Sequence, residues 1–416
     1  MIKRMTDDAC SVGLNPERLT RIQPGMERWV KEGVIAGADM LLARQGRIVY
    51  RAQVGMQDKE AGIPMPDNAI FRIYSMTKPI ICTALMTFYE EGRFLLHTPV
   101  AALLPAFADL KVLETEADGT QKLVEPVRPP TVADLMSHTA GFTYDFLVDS
   151  PVGERYRQNQ LLNNDLQTLA EMMESLSQLP LAFHPGSRFH YSVSIDVAAY
   201  LIQVLADRPL RDVLHERLFA PLGMVDTDFG VTAAQRTRLA AMYGVGDIAA
   251  SGMTNVQMEA AWRAGVRQRL DVADTYPCDQ PDVFVRGGHG LFSTTADYAR
   301  FALMLGNGGE LDGVRVIGRK TLELMHANRL PAALLPWEVS GQPRPGYGYG
   351  LGSRVLMDPG AAGVMGSPGE FGWSGAASTY YWVDPREEFV GVFMTQYQGM
   401  DEPDAYFRAL AYQAIE

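Results

Sequence analysis

Phe71-Arg72-Ile73-Tyr74-Ser75-Met76-Thr77-Lys78-Pro79-Ile80-Ile81-Cys82-Thr83-Ala84-Leu85-Met86-Thr87-Phe88-Tyr89-Glu90-Glu91-Gly92 is the stretch whose reading decides the fold. From Ile80 to Phe88 nothing is charged, and only Thr83 and Thr87 carry hydroxyls. A helix that is apolar nearly all round is a buried one. Gly92 marks its end, because glycine takes the left-handed conformation past a helix terminus without a Cβ penalty. Pro79 lacks an N–H and fits only the first turn, where donors have no helical partner. The first turn therefore falls at about Ser75 to Pro79. Ser75 then sits at the positive end of the helix dipole, which favours an alkoxide, and Lys78 follows on the same face. A part-buried amine gives up its charge more readily because the charged form is desolvated, so Lys78 is placed to take the proton of Ser75. An N-capping serine followed by a solvated first-turn lysine would leave the same pattern, so the rest of the chain has to decide.

The chain has 416 residues, 47% of them apolar and 21% charged, which suits two lobes or one large domain with a substantial core. The formal net charge is −12 and no Lys/Arg run offers a phosphate-binding patch, so no nucleic-acid partner is expected. Lys3 and Arg4 are followed by Asp7-Asp8 with no apolar segment, which is not a secretory signal. No apolar run reaches membrane-spanning length, so no membrane partner is expected. Cys10, Cys82 and Cys278 are odd in number and far apart. A disulfide framework does not follow, and a reduced cytoplasm fits better. His215-Glu216 lacks a second histidine at the zinc-protease spacing, no cysteine pair has finger spacing, and no dinucleotide or phosphate-loop glycine motif occurs. Neither metal nor cofactor is expected. Gly372-Trp373-Ser374-Gly375-Ala376 approaches the α/β-hydrolase nucleophile elbow but fails at its last position.

In chain order, Asn15-Pro16-Glu17 opens a helix to about Lys31. Val34 to Ala43 and Ile48 to Gln53, around Gln45-Gly46, read as a hairpin. Thr131-Val132-Ala133-Asp134 is a capping box that opens a short helix. Phe142 to Gln160 has no clear period and reads as a loop over a pocket. Leu166 to Gln178, Ile195 to Asp207 and Leu210 to Phe219 read as helices, and Tyr243 to Pro281 as a surface insertion. A helix over Ala296 to Leu305 and another over about Lys320 to Met325 precede strand-like stretches at Tyr347 to Met357, Thr379 to Val383 and Phe389 to Thr395. Pro403 onward is a terminal helix. The order predicts an α+β fold: one antiparallel sheet from both ends of the chain, flanked by the terminal helices, plus an all-helical middle. The lobes would be 1–74 with 285–416, and 75–284 with the insertion at about 243–281; the active site would lie between them.

Three stretches line up in order: Ser75-Met76-Thr77-Lys78, Tyr191-Ser192-Val193, and Trp373-Ser374-Gly375. Together they resemble the serine β-lactamase/penicillin-binding (transpeptidase-like) fold, in particular class C β-lactamases and family VIII carboxylesterases. Leu135 to Gly141, Pro185-Gly186, Pro221-Leu222-Gly223-Met224 and Gly287 to Thr294 also look like that family, so the resemblance spans about residues 15 to 415. It implies Ser75 as nucleophile, Lys78 as its base, and Tyr191 as a phenolate or a proton relay to the leaving group. A lowered Tyr191 pKa would follow from Lys78 and a neighbouring cation. The family's Tyr-x-Asn carries Val193 here, and its Lys-Thr-Gly is Trp373-Ser374-Gly375. Tryptophan cannot bind a β-lactam carboxylate but can line an apolar acyl or alcohol pocket, with Ser374, Gly375, Tyr144 and Val193 beside it. The backbone N–H groups of Ser75 and Ala376 would form the oxyanion hole. His138 and His190 are expected to be structural and bonded locally, His289 structural near the pocket, and Met76 and Tyr74 packing residues.

Function then reads as hydrolysis of short- to medium-chain carboxylic esters, a small-molecule substrate, through an acyl-enzyme on Ser75. The alternatives are a β-lactamase or D-amino-acid peptidase/amidase, with weak β-lactam turnover as a side activity, and a non-catalytic binding module of the same fold. Oligomeric state is not legible.

Overall fold

The computed structural model describes residues 9–162, 167–250 and 253–416. The readings at Lys3, Arg4 and Asp7-Asp8, and the Leu166 start of a helix, lie outside them. The two ends of the chain meet in an eight-stranded sheet. Its strands are β1 (Gly37–Arg44), β2 (Arg47–Asp58), β3 (Ile63–Pro64), β4 (Tyr347–Tyr349), β5 (Arg354–Leu356), β6 (Phe371–Ser374), β7 (Tyr380–Asp384) and β8 (Phe389–Thr395). The order is β4-β5-β6-β7-β8-β1-β2-β3, antiparallel throughout. The β8–β1 register, from Ala38↔Thr395 to Arg44↔Phe389, closes the sheet across more than three hundred residues. The β1–β2 hairpin turns through Gln45 and Gly46, both left-handed at φ 53° and 73°, the backbone that matches the strand twist.

Side chains alternate across the sheet, as the period of two requires. Leu41, Tyr381, Val383 and Val392 face the main core. Met40, Leu42, Trp382 and Phe393 face a second core under the terminal helices α1 (Ile22–Lys31) and α6 (Pro403–Tyr412). The main core is organised around α2 (Thr77–Glu90), which packs on α4 (Ser194–Ala206), while α5 (Thr295–Gly306) lies on the sheet against β1, β7 and β8. Every residue of α2 from Thr77 to Phe88 is buried. Each large apolar side chain among them contributes roughly 1.5–3 kcal/mol relative to exposure.

Several boundaries differ from the sequence expectation. The first helix breaks at Thr20-Arg21 into two. Phe142 to Gln160 is not all loop: Ser150 caps a helix, α3, over Pro151–Gln158, and its proline at the first position is a local signal for that start. Tyr347 to Met357 is two strands about a turn at Gly350–Ser353, and Phe371–Ser374 is a strand in its own right. The 243–281 segment carries a helix, Asn255–Arg263, and strand Met242–Gly244 pairs in parallel with Tyr397–Gln398, so its start is tied to the body. Among the described residues, no helix is long and apolar enough to cross a membrane.

Candidate active site

Ser75 lies in a 3-10 turn, Tyr74–Met76, that runs directly into α2. Tyr74 is left-handed at φ 43°, a conformation a bulky residue rarely adopts. It is held there by Gln398, whose Nε2 donates to the Tyr74 hydroxyl at 2.8 Å, and by Tyr276, whose ring centroid is 4.8 Å away. Tyr74 therefore does more than pack: it shapes the turn that presents Ser75 and also lines the cavity.

Lys78 is completely buried, and its Nζ donates to Ser75 Oγ at 3.0 Å and to the Gly288 carbonyl at 2.7 Å. Burial pushes the amine down to about 7; the nearby Asp196 carboxylate opposes that shift. Tyr191 comes from the segment entering α4, and Lys78 Nζ sits 4.5 Å from its ring centroid. Its hydroxyl accepts the Trp373 indole N–H at 3.3 Å. The phenolate expectation is corrected here. Burial raises the Tyr191 pKa, and its hydrogen bonds with Ser75 and Trp373 only partly offset this. Burial therefore favours the neutral phenol.

Trp373, on β6, points to the helical side of the sheet among Tyr191, Tyr349 and Trp337, with centroid separations of 5.6, 5.1 and 6.1 Å. Gly375 follows where the strand turns back. A Cβ there would meet the Ile73 carbonyl at 2.3 Å, so only glycine lets this turn close on the Ser75 segment. The turn's hydrogen bonds, Gly375 N–H to Thr379 O and Ser378 N–H to Gly375 O, leave out the Ala376 amide. Ser75, Trp373, Ser374, Gly375 and Ala376 all border one cavity of about 780 Å³. Tyr144 borders it too, stacked on Phe146 at 4.8 Å with its ring 5.4 Å from that of Tyr191.

Val193 does not belong to the cavity wall. It stands at the N-cap of α4 with its side chain fully buried in the main core, where an apolar residue is most stable. The histidines are not bonded locally either. His138 Nδ1 accepts the Ser192 N–H at 3.3 Å and His190 Nε2 pairs with Thr143 Oγ1 at 2.8 Å, partners about fifty residues away. The His138 ring lies 4.6 Å from that of Tyr191, and burial holds it well below the ordinary imidazole value. His289 lines the cavity near Tyr276 and Phe284, and burial together with the charges of Lys78 and Arg286 pushes it down to about 3. It is a neutral wall residue at physiological pH.

Some wall residues carried no sequence signal. Trp337 and Val339 come from a stretch assigned to no element, and Ile248 and Ala249 from the segment read as surface. Among the described residues no group of three or more His, Cys, Asp or Glu is arranged to hold a metal ion.

Residues 20–414 match the Beta-lactamase family. Esterase EstB of Burkholderia gladioli is 30% identical over 391 residues, covering 92% of this chain and 92% of that protein. Among solved structures, EstCE1, a hydrolase with promiscuous acyltransferase activity, is similar at a TM-score of 0.76 and 26% identity, over 95% of this chain and 99% of that one. A family VIII carboxylesterase, 20% identical, shares the fold at a TM-score of 0.70 over 97% and 99% of the two chains.

Proposed function

The chain belongs to the β-lactamase family, and we propose that within it the protein is a serine hydrolase of short- to medium-chain carboxylic esters. The observation that carries this is the 3.0 Å contact between Lys78 Nζ and Ser75 Oγ, with the lysine depressed to about 7. A nucleophile within hydrogen-bond reach of a base titrating near the working pH is the arrangement acyl transfer needs. The likeness to EstB supports the ester over the β-lactam.

In this mechanism neutral Lys78 takes the Ser75 proton as Oγ attacks the ester carbonyl. The amides of Ser75 and Ala376 stabilise the oxyanion, commonly the largest electrostatic contribution in acyl transfer. Neutral Tyr191 donates a proton to the departing alkoxide and recovers one from the Lys78 ammonium. Water then attacks the acyl-enzyme by the same route in reverse. Trp373 closes the site with an indole where the β-lactamase motif has a lysine, which disfavours a β-lactam carboxylate and leaves such turnover slow. The seam between a sheet lobe (1–74 with 285–416) and a helical lobe (75–284) is where we place this chemistry. Three free thiols fit a reducing, cytoplasmic compartment.

The test is turnover of p-nitrophenyl esters of rising chain length beside a chromogenic cephalosporin, for wild type and Ser75→Ala. Ester turnover peaking at short to medium chains and lost in the variant is the expected result. Efficient cephalosporin cleavage would instead make the protein a β-lactamase. No Ser75-dependent turnover of either would leave a peptidase or a non-catalytic module.

A further inference from the structure

Asp196 is a buried acid close to Lys78 that this mechanism leaves unused. It lies in the first turn of α4, five residues after Tyr191, with no solvent exposure. Its Oδ1 accepts the Gly288 N–H at 2.9 Å. The carbonyl of that same glycine accepts Lys78 Nζ at 2.7 Å. Asp196 Oδ2 has no hydrogen bond of ordinary geometry, though the Gly287 N–H also faces the carboxylate. The glycines at 287 and 288 are what let the loop come this close. A Cβ at 287 would meet the Ile195 carbonyl at 2.6 Å, and one at 288 would meet Asp196 Oδ2 at 2.7 Å and the Tyr144 hydroxyl at 2.9 Å. Val193, standing where the family has asparagine, has no polar side-chain atom to offer Lys78.

We propose that Asp196 is a positioning residue for Lys78: it pins Gly288 so that the carbonyl aims the amine at Ser75, and its negative charge stabilises the ammonium formed when the Ser75 proton arrives. The step transfers one proton from Ser75 Oγ to Lys78 Nζ, converting a neutral pair into an ion pair with the new Oγ–acyl bond. Such a pair is costly in a buried site unless an opposite charge and a fixed dipole are already in place.

The groups facing Lys78 are Cys82 on its own helix, Tyr144, Tyr191 and His138 from the helical side, and Gly288 and His289 from the loop. Burial keeps both phenols, the Cys82 thiol and the histidines neutral. Asp196 is thus the main anionic influence on the lysine. Burial raises its own pKa, and the Gly288 N–H with the charges of Lys78 and Arg286 counters this.

The proposal rests on Lys78 as the base, so the test reads the base without a natural substrate: the pH dependence of Ser75 labelling by a p-nitrophenyl alkylphosphonate, in wild type, Asp196→Asn and Gly288→Ala. Asp196→Asn keeps an oxygen for the Gly288 N–H and drops the charge. Loss of the charge disfavours the ammonium, so the acidic limb should move about one unit to lower pH, and the plateau should slow by roughly tenfold or more. A folded Asp196→Asn with the wild-type limb, whether as fast as wild type or uniformly slower, overturns the proposal, since a merely structural role would leave the limb in place. If circular dichroism shows Asp196→Asn unfolded, Gly288→Ala decides. Its methyl separates carboxylate from loop and should also slow labelling and lower the limb; a wild-type profile overturns the proposal. Wild-type protein that is unlabelled at every pH sinks the serine-hydrolase reading, and this one with it.

Discussion

The Trp373 indole N–H donates to the Tyr191 hydroxyl at 3.3 Å, so the tryptophan of the Trp-Ser-Gly stretch is bonded to the phenol beside Ser75. This gives tryptophan a role beyond lining an apolar pocket. By donating to the phenol oxygen it would leave the Tyr191 O–H free to point toward Ser75 and the leaving group in the proposed mechanism. Trp373→Phe keeps the aromatic wall and removes the donor. A single neutral hydrogen bond contributes about 1 kcal/mol, so kcat for a p-nitrophenyl ester should fall roughly fivefold. KM should change little. An unchanged kcat would mean the bond does not orient the phenol.

Lys78 titrating near 7 has opposite consequences for activity and for stability. In the proposed mechanism it is a base that works only when neutral, so kcat/KM should rise with pH and level off above about 7, falling tenfold per unit below. Folding runs the other way round: between the folded value and the ordinary lysine value near 10.4, the unfolded chain holds more protons than the native one, so stability rises with pH across that window. Below about 7 the native state carries the full cost of the buried ammonium. Lys78→Met should therefore abolish turnover yet raise stability by roughly 1–3 kcal/mol at pH 6, with a smaller gain at pH 9. Urea melts at the two pH values check the sign; destabilisation at pH 6 would refute it.

The central helix and the Ser75–Lys78 pair at its start were legible because their signals are local: an uncharged run, a proline confined to the first turn, a terminal glycine. The capping box at Thr131 and Asp134 formed for the same reason. What escaped depends on contacts distant in sequence. The short strand at Phe371–Ser374 is too brief for periodicity to declare, and exists because β7 and β5 offer it edges on either side. The upward push on the Tyr191 pKa follows from burial that no motif encodes. Trp337 reaches the site from a stretch with no regular element beyond a two-residue strand pair. Asp196 did leave a trace, an acid in an otherwise apolar helix start, but its meaning needs Gly288, 92 residues later.

Gly375 holds the Ala376 amide where the proposed oxyanion would form. Gly375→Ala would set a methyl 2.3 Å from the Ile73 carbonyl and 2.2 Å from Thr379 Oγ1. The carbonyl is backbone and cannot rotate away, so the turn must lift from the Ser75 segment. Displacing one oxyanion donor costs on the order of a hundredfold in kcat. The clash lies at one end of the sheet, so thermal stability should drop only modestly, by roughly 1–2 kcal/mol. Steady-state kinetics with a short-chain ester, alongside a thermal melt, separates the two effects. A variant that melts far lower but keeps its kcat would show that the glycine serves the fold and not the oxyanion.

Trp337 sets the length of the apolar wall. It is 3% exposed, its ring lies 4.9 Å from Phe189 and 5.7 Å from Tyr349, and it borders the cavity beside Val339. It hydrogen-bonds to nothing through its indole nitrogen, so its contribution is volume alone. Trp337→Ala should cost roughly 3–5 kcal/mol of stability, the usual range for emptying a tryptophan site. The space gained opens into the substrate cavity. Longer acyl or alcohol chains should therefore improve relative to short ones, with the ratio of kcat/KM for octanoyl over butyryl p-nitrophenyl esters rising roughly tenfold, about the value of one or two buried methylenes. Trp337→Phe, a smaller truncation, should lie between. If the ratio stays flat across both variants while stability falls, Trp337 supports the wall from behind and the chain-length limit lies elsewhere in the cavity.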